Sequence, residues 1–215
     1  LASRASRLIV GLKSRGAFVV AVVCLALTLV SFNASPVMAA DWMLKRVSGK
    51  VYLVAPGVKA FRAKVGMPLA KGFTIATRSG ARAMLARGTE TILVGPNTSF
   101  ALSSYRSKGE KTTLLQKTGT ITVDVAKRNR PHFMVETPFL AAVVKGTKFS
   151  VSVGKKSAEV SVERGVVGVS DFASGDQTDL RKGQSASTAP ERKVGLTVAG
   201  TVKPTVRKGP KKAPA

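Results

Sequence analysis

The sequence Thr120-Ile121-Thr122-Val123-Asp124-Val125 alternates polar and apolar side chains without interruption. The same period of two recurs in Ser150-Val151-Ser152-Val153 and in Glu159-Val160-Ser161-Val162. Because successive side chains of a β-strand point to opposite faces of a sheet, this alternation predicts strands with one buried side and one solvent-facing side. The three stretches therefore predict a β-sheet that covers a hydrophobic core.

Glycine residues separate these predicted strands from shorter ones along most of the chain. The sequence has 20 glycines, and between Gly49 and Gly183 their commonest spacing is about six to ten residues. Glycine adopts the positive φ of tight turns without steric cost, and Pro56-Gly57 and Pro96-Asn97 are further turn signals. We predict a single all-β domain of many short strands. It is either a short β-helix or solenoid-like stack, or sandwich-like, and periodicity does not distinguish these arrangements.

Residues 1–40 have the composition of an export signal. Four basic residues lie before the uncharged stretch Ala17–Phe32. That stretch has 16 residues and is shorter than the roughly 20 apolar residues of a typical spanning helix. Val37-Met38-Ala39 follows and suits cleavage by a signal peptidase. We expect residues 1–40 to be a cleaved Sec-type signal peptide, and the alternative is an uncleaved membrane anchor.

The chain is strongly basic, with 35 Lys and Arg against 11 Asp and Glu and a net charge of +24. Residues 1–40 hold four basic residues and no acidic ones, so the rest carries 31 against 11, or +20. Such a charge favours polyanionic partners and says little about the fold. For an exported protein these include lipopolysaccharide, peptidoglycan and other envelope polymers, and nucleic acid is not an expected partner.

The composition changes near residue 188 to Ala, Pro, Lys, Thr and Val. We predict that residues 188–215 form a disordered, Lys/Pro-rich flexible tail, apart from a short strand over residues 194–198. The tail has two alternative roles, as a solubilising segment or as a polyanion-binding arm. The candidate polyanion contacts are Arg192, Lys193, Lys203, Arg207, Lys208, Lys211 and Lys212.

The residue types that most catalytic and metal sites need are scarce. One Cys and one His exclude a disulfide framework, a Cys-rich metal site and any site with several imidazoles. His132 follows the basic turn at residues 127–131, and we predict a surface or strand-edge histidine rather than a general base. The segment from Asp171 to Asp176 resembles a calcium loop but lacks the EF-hand spacing. We predict no catalytic residue, no cofactor, no metal and no enzymatic activity.

An ordered set of motifs from about residue 47 to residue 186 resembles the FecR domain family. Gly66-Met67-Pro68-Leu69-Ala70-Lys71-Gly72-Phe73-Thr74-Ile75-Ala76-Thr77 is similar to its opening strands. The most specific part is Val135-Glu136-Thr137-Pro138 followed by Val144-Lys145-Gly146-Thr147-Lys148-Phe149, with Lys145 where the family usually has Arg. Leu180-Arg181-Lys182-Gly183-Gln184 resembles the closing L-x-x-G-Q motif.

The resemblance implies an all-β periplasmic module over residues 41–187. In the best-known members this module relays the state of an outer-membrane receptor to a cytoplasmic sigma factor. We expect the motif residues to determine the fold rather than to contact a ligand, because prolines, glycines and a buried aromatic side chain commonly do so. These residues are Thr137, Pro138, Lys145, Gly146, Thr147, Phe149 and Gly183.

The chain differs from those regulators at both ends. About 15 residues precede the apolar run where they carry a sigma-binding domain, and the basic tail does not resemble their C-terminal domain. We therefore expect a standalone, non-enzymatic FecR-type binding or scaffolding module in the periplasm. The alternative is a module that is anchored in the inner membrane and faces the periplasm. It would act in envelope sensing or signalling through contacts with an envelope or membrane protein. The alternative function is a binder of anionic envelope polymers.

Overall fold

The computed structural model of the protein describes residues 41–107, 111–189, 191 and 194–213. The signal-peptide prediction over residues 1–40 lies outside these residues. From residue 41 onward the described chain belongs to one compact unit. None of the described residues lies in a helix that is long and apolar enough to cross a membrane.

Eighteen short strands make up the described chain, which confirms the all-β prediction. In chain order they are β1 Trp42–Ser48, β2 Val51–Val54, β3 Phe61–Arg62, β4 Pro68–Leu69, β5 Thr74–Thr77, β6 Arg82–Arg87, β7 Glu90–Val94, β8 Ser99–Leu102, β9 Thr112–Asp124, β10 Phe133–Glu136, β11 Leu140–Val144, β12 Lys148–Val153, β13 Ala158–Arg164, β14 Val166–Asp171, β15 Asp176–Arg181, β16 Ser185–Ala189, β17 Val194–Ala199 and β18 Val206–Lys208.

The strands form one hydrogen-bonded sheet that divides into two branches at β9. The first layer has the order β4-β1-β6-β7-β9-β12-β13-β16-β17. The second layer has the order β3-β2-β5-β8-β9-β10-β11-β14-β15-β18. Strand β9 belongs to both layers because Gly119, at φ +84°, lies between its two halves. Among the described pairings only β9 with β10 is parallel.

The two layers enclose one hydrophobic core. On the inner face of the first layer Val151 lies opposite Ile121 and Val160, and all three side chains are fully buried. Trp42 of the first layer contacts Phe133 of the second edge to face, with ring centroids 6.1 Å apart. The antiparallel pairing and the shared core correspond to the sandwich-like alternative, because a β-helix stacks its strands in parallel.

The C-terminal segment differs from the predicted disordered tail. Strand β16 continues to Ala189, and β17, which contains the short strand predicted over residues 194–198, pairs with it and extends the first layer. Strand β18 pairs with β15 and extends the second layer. Ten of the 22 described residues after 188 therefore belong to strands of the two layers.

Candidate functional site

Thr137 and Pro138 form the turn between β10 and β11. The Thr137 hydroxyl accepts hydrogen bonds from the backbone N–H groups of Phe139 and Leu140, at 3.1 and 2.9 Å. The backbone N–H of Thr137 donates to the Leu140 carbonyl at 2.9 Å. Pro138 is exposed in the same turn, where its fixed φ costs nothing. All these contacts lie within the hairpin, as expected of residues that determine the fold.

Gly146 lies where two chain segments touch. Its φ is +151°, and a Cβ atom there would lie 2.2 Å from the Cα atom of Lys127. Beside it, the backbone N–H of Arg128 donates to the Lys145 carbonyl at 2.6 Å. A Cβ atom on Gly165 would in turn lie 2.6 Å from the Gly146 carbonyl oxygen. The glycine of this motif therefore permits the basic turn that contains Lys127 to pack against the β11–β12 connection.

The remaining residues of this motif differ in exposure. Phe149 is fully buried in the core, and Thr147 is buried and accepts the backbone N–H of Val125 through its carbonyl at 3.0 Å. Lys145 is exposed at the same corner. Of Lys145, Thr147 and Phe149, only Lys145 therefore presents a functional group to solvent.

The L-x-x-G-Q motif connects the β15–β16 turn to the C-terminal segment. Gly183 has φ +75°, and nothing lies within 4 Å of a Cβ atom built on it, so only the backbone conformation requires glycine there. The Gln184 side chain accepts the backbone N–H of Arg181 at 2.6 Å and donates to the Val202 carbonyl at 2.5 Å. Sequence reasoning treated Gln184 as part of a motif and missed this second contact.

Asp176 connects the C-terminal strands to the domain. This buried carboxylate accepts the backbone N–H of Leu196 on β17 at 3.1 Å, and the ammonium group of Lys208 on β18 lies 2.6 Å from it. The hydrogen bond from Lys208 is the main cause that lowers the pKa of Asp176, while burial opposes it and the bonds from Leu196 and Ser174 add to the lowering. The carboxylate is therefore held in its charged form.

Asp171 has a similar structural role in the adjoining loop. Its carboxylate accepts the hydroxyl of Thr188 at 2.5 Å and the backbone N–H of Ser174 at 2.7 Å. The two carboxylates of the segment that resembles a calcium loop thus both have protein donors. Among the described residues, no group of three or more His, Cys, Asp or Glu side chains is placed to hold a metal ion.

The structure divides the predicted polyanion contacts into two groups. Arg207 lies 3.0 Å from Asp179, and Lys208 pairs with Asp176, so these two cations are partly neutralised. The side chains of Lys203, Lys211 and Lys212 are exposed, whereas Arg192 and Lys193 lie outside the described residues. The three exposed lysines are the members of the predicted set that the structure leaves open to a polymer.

A buried ionic cluster surrounds Glu90 at the start of β7. Two guanidinium nitrogens of Arg87 lie 3.0 and 2.7 Å from Glu90 Oε2, while His132 Nε2 lies 3.3 Å and an Arg128 nitrogen 3.7 Å from Oε1. The Arg87 guanidinium also stacks 4.6 Å from the ring centre of Trp42. The cluster connects the β6–β7 hairpin to the basic turn and to β10.

The prediction that His132 is a surface or strand-edge histidine is wrong as regards the surface. Its side chain is 6% exposed, its backbone N–H donates to Val144 and its carbonyl accepts from Thr112. The acid beside it, Glu90, is 42 residues away in the sequence, so no local pattern signalled the pairing. The guanidinium groups of Arg87 and Arg128 also contact Glu90. This arrangement fits a structural ionic role for His132 better than a role as a general base.

Comparison with known proteins identifies the central part of this domain. The family model described as "FecR protein" matches residues 73–168. These residues run from the start of β5 into β14 and include the Thr137-Pro138 turn and the Gly146 corner. This match confirms the resemblance to the FecR domain found in the sequence.

Solved structures share this fold. Two crystal structures of "a putative anti-sigma factor" from Parabacteroides distasonis, at 2.50 and 1.65 Å resolution, each align with a TM-score of 0.50 and 17% identity. Each alignment covers 59% of this chain and 59% of the chain in that crystal structure. At this identity the similarity concerns the fold alone. The comparison with curated proteins gives no significant match.

Proposed function

We propose that the protein is a non-enzymatic regulatory module of the FecR type that acts in envelope sensing or signalling through protein contacts. The match of residues 73–168 to the FecR family is the observation that carries this proposal. The anti-sigma-factor description of the structurally similar protein is consistent with a regulatory role. The buried motif residues serve the turns and core of the domain, so partner contacts would come from other, exposed side chains.

The proposed location is the periplasm, after removal of a signal within residues 1–40. The uncharged stretch from Ala17 to Phe32 supports this proposal. The intact mass of the untagged protein from fractionated cells tests it. A soluble periplasmic species that begins at Ala40 or Asp41 is the expected result. A full-length species in the membrane fraction would instead support an inner-membrane anchor with the domain facing the periplasm.

Crosslinking in intact cells, followed by purification and mass spectrometry, tests the protein-contact proposal. We expect an envelope or membrane protein to be enriched at least tenfold over an exported control protein of equal size and charge. The charge-matched control matters because a net charge of +20 attracts acidic molecules nonspecifically. No protein enriched above that control would contradict the proposal.

Binding of an anionic envelope polymer is the second candidate function. The observation that favours it is a groove of 410 Å³ whose lining includes the exposed Lys203 together with Arg181 and Arg207, and one acid, Asp179. Binding that depends on displaced counterions weakens steeply with salt. Co-sedimentation with lipopolysaccharide or peptidoglycan at low and at physiological salt tests this function, and affinity that is flat between the two rejects it.

A charge-neutralising variant separates the two functions better than a truncation. Deletion of residues 190–215 would remove β17 and β18 from the layers and leave Asp176 without Lys208. The triple variant Lys203→Gln, Lys211→Gln, Lys212→Gln keeps both strands and that ion pair. If the polymer is the ligand, this variant loses co-sedimentation. If a protein is the partner, the crosslinked species persists.

A further inference from the structure

A groove of 540 Å³ lies on the outer face of the first layer, across β1, β6 and β7. Arg46 on β1 lies opposite Met84 on β6, which lies opposite Leu93 on β7. These three residues form one cross-strand row. Lys45 and Arg82 also line the groove. The groove thus combines cationic side chains with an apolar surface, and none of the FecR motif residues considered above takes part in it.

The apolar part of the groove is open to solvent. Leu93 is 46% exposed, and Val65, on the turn before β4, is 61% exposed. Most large apolar side chains of the described chain are buried in the core between the layers. Exposed apolar surface next to polar residues commonly marks an interaction site. The combination in this groove therefore points to a ligand with apolar groups.

The cationic part of the groove lacks acidic neighbours. Lys45, Arg46 and Arg82 take part in none of the ion pairs found among the described residues. Residues 41–89 as a whole contain ten basic residues and one acidic residue, Asp41. The groove therefore has a positive potential that the protein itself does not neutralise, and it complements a negatively charged ligand.

The main chain beside the groove has an unpaired edge. On the side away from β6, β1 pairs with β4 only at Trp42 and Met43. Within the described chain, residues 45–48 make no further backbone hydrogen bond on that side. Unpaired strand edges are places where an extended polypeptide can add its own hydrogen bonds. This edge favours a polypeptide over a lipid or a polysaccharide.

We propose that this groove binds an extended, acidic segment of a partner protein that adds to the free edge of β1 and carries acidic and apolar side chains on the same face. Acidic groups would pair with Arg46 and Arg82, and apolar groups would cover Val65, next to the residue whose N–H donates to Leu44 on that edge. A symmetric dimer of this chain does not suit the groove, because it would place the same cations against each other. The inference rests on the proposed protein-contact function and adds the chemistry of the partner.

Fluorescence anisotropy with a defined probe tests this inference on the full chain without residues 1–40. The probe is a labelled octapeptide Glu-Thr-Val-Thr-Glu-Thr-Val-Thr, whose Glu and Val side chains share one face when it is extended, and its control has Gln in place of Glu. We expect the Glu peptide to bind and the Gln peptide to bind at least tenfold more weakly. N-methylation of alternate residues keeps the charge but removes main-chain donors, and we expect it also to weaken binding at least tenfold.

Two double variants with the same change in net charge localise the site. Arg46→Glu with Arg82→Glu should weaken binding of the Glu peptide at least tenfold. Lys155→Glu with Lys182→Glu, on exposed turns of other strands, should leave it within about twofold. A single Val65→Ser change should also weaken binding, because it removes the exposed apolar contact beside the β1 edge. Equal losses in the two double variants would show nonspecific attraction and overturn the inference.

Two further outcomes are decisive. If phosphatidylglycerol vesicles bind the wild-type protein but not the Arg46→Glu, Arg82→Glu variant, while the peptide does not bind, the groove is a lipid site and the inference is wrong. If crosslinking in cells recovers a protein equally from the wild type and from that variant, the groove inference fails and the protein-contact function stands. A partner that is recovered from the wild type but not from the variant supports both the groove inference and the protein-contact function.

Discussion

At the scale of single residues, two glycines of the FecR motifs meet different physical needs. At Gly146 a side chain would collide with the backbone of Lys127, and the φ of +151° is itself unfavourable for other residues. At Gly183 the surroundings are open, and only the positive φ of the turn matters. The same residue type therefore carries very different energetic weight at the two positions.

Replacement of each glycine by alanine measures this difference. Gly183→Ala should lower the free energy of unfolding by about 1–2 kcal/mol, the usual cost of a left-handed conformation in a residue with a Cβ atom. Gly146→Ala should lower it by about 3 kcal/mol or more, since the neighbouring backbone must also move. Guanidinium denaturation gives both values. Equal losses would contradict the close packing at the Gly146 corner.

Glu90 is the residue on which the buried ionic cluster depends. Glu90→Ala would leave Arg87 and His132 in a buried site without their acid, and such losses cost about 3–5 kcal/mol. Glu159→Ala removes an exposed acid for which the described residues provide no ion-pair partner, and it should change stability by about 0.5 kcal/mol or less. Comparable losses in the two variants, measured by denaturation, would show that the cluster contributes little.

At the scale of elements, the C-terminal strands show where sequence reasoning was sufficient and where it was not. The predicted strands at residues 150–153 and 159–162 lie within β12 and β13, because period-two alternation is a local signal. Strand β17 pairs with its neighbour in the sequence, β16, and Leu196 on it also donates to Asp176, 20 residues earlier in the sequence. Composition there is that of a flexible segment, and no local pattern carries a contact over that separation.

The lowered pKa of Asp176 makes this attachment sensitive to acid. The Asp176 carboxylate binds a proton less readily in the folded protein than in the unfolded chain. The stabilisation is therefore present above the ordinary carboxyl pKa of 3.8 and is lost as pH falls through the lower pKa of the folded state. We expect Asp176→Asn to lower the free energy of unfolding at pH 7 and to lose less stability than the wild type on acidification.

The measurement for this prediction is denaturation at a series of pH values from 7 downward. Asp41→Asn is the matched control, since this exposed carboxyl group takes part in none of the described ion pairs. It should follow the wild-type profile. An Asp176→Asn profile that parallels the wild type at all pH values would contradict the role of the Asp176–Lys208 pair.

At the scale of the whole molecule, charge is distributed unevenly. Seven of the 11 acidic residues form ion pairs within the described chain, at Glu90, Asp124, Glu136, Glu163, Asp176, Asp179 and Glu191. The excess of basic residues therefore remains exposed, and it includes the cations of the groove across β1, β6 and β7 and the C-terminal lysines. The sequence predicted the excess and the C-terminal cations but not the groove, because the groove forms only when three separate strands pair.

If the domain acts through protein contacts and not through the charge of its C-terminal segment, the crosslinked protein partner persists in the Lys203→Gln, Lys211→Gln, Lys212→Gln variant. Recovery of the partner from cells within about twofold of wild type, with normal stability of the variant, is the predicted result. Loss of the partner together with loss of polymer binding would contradict the protein-contact function and would favour the polyanion binder.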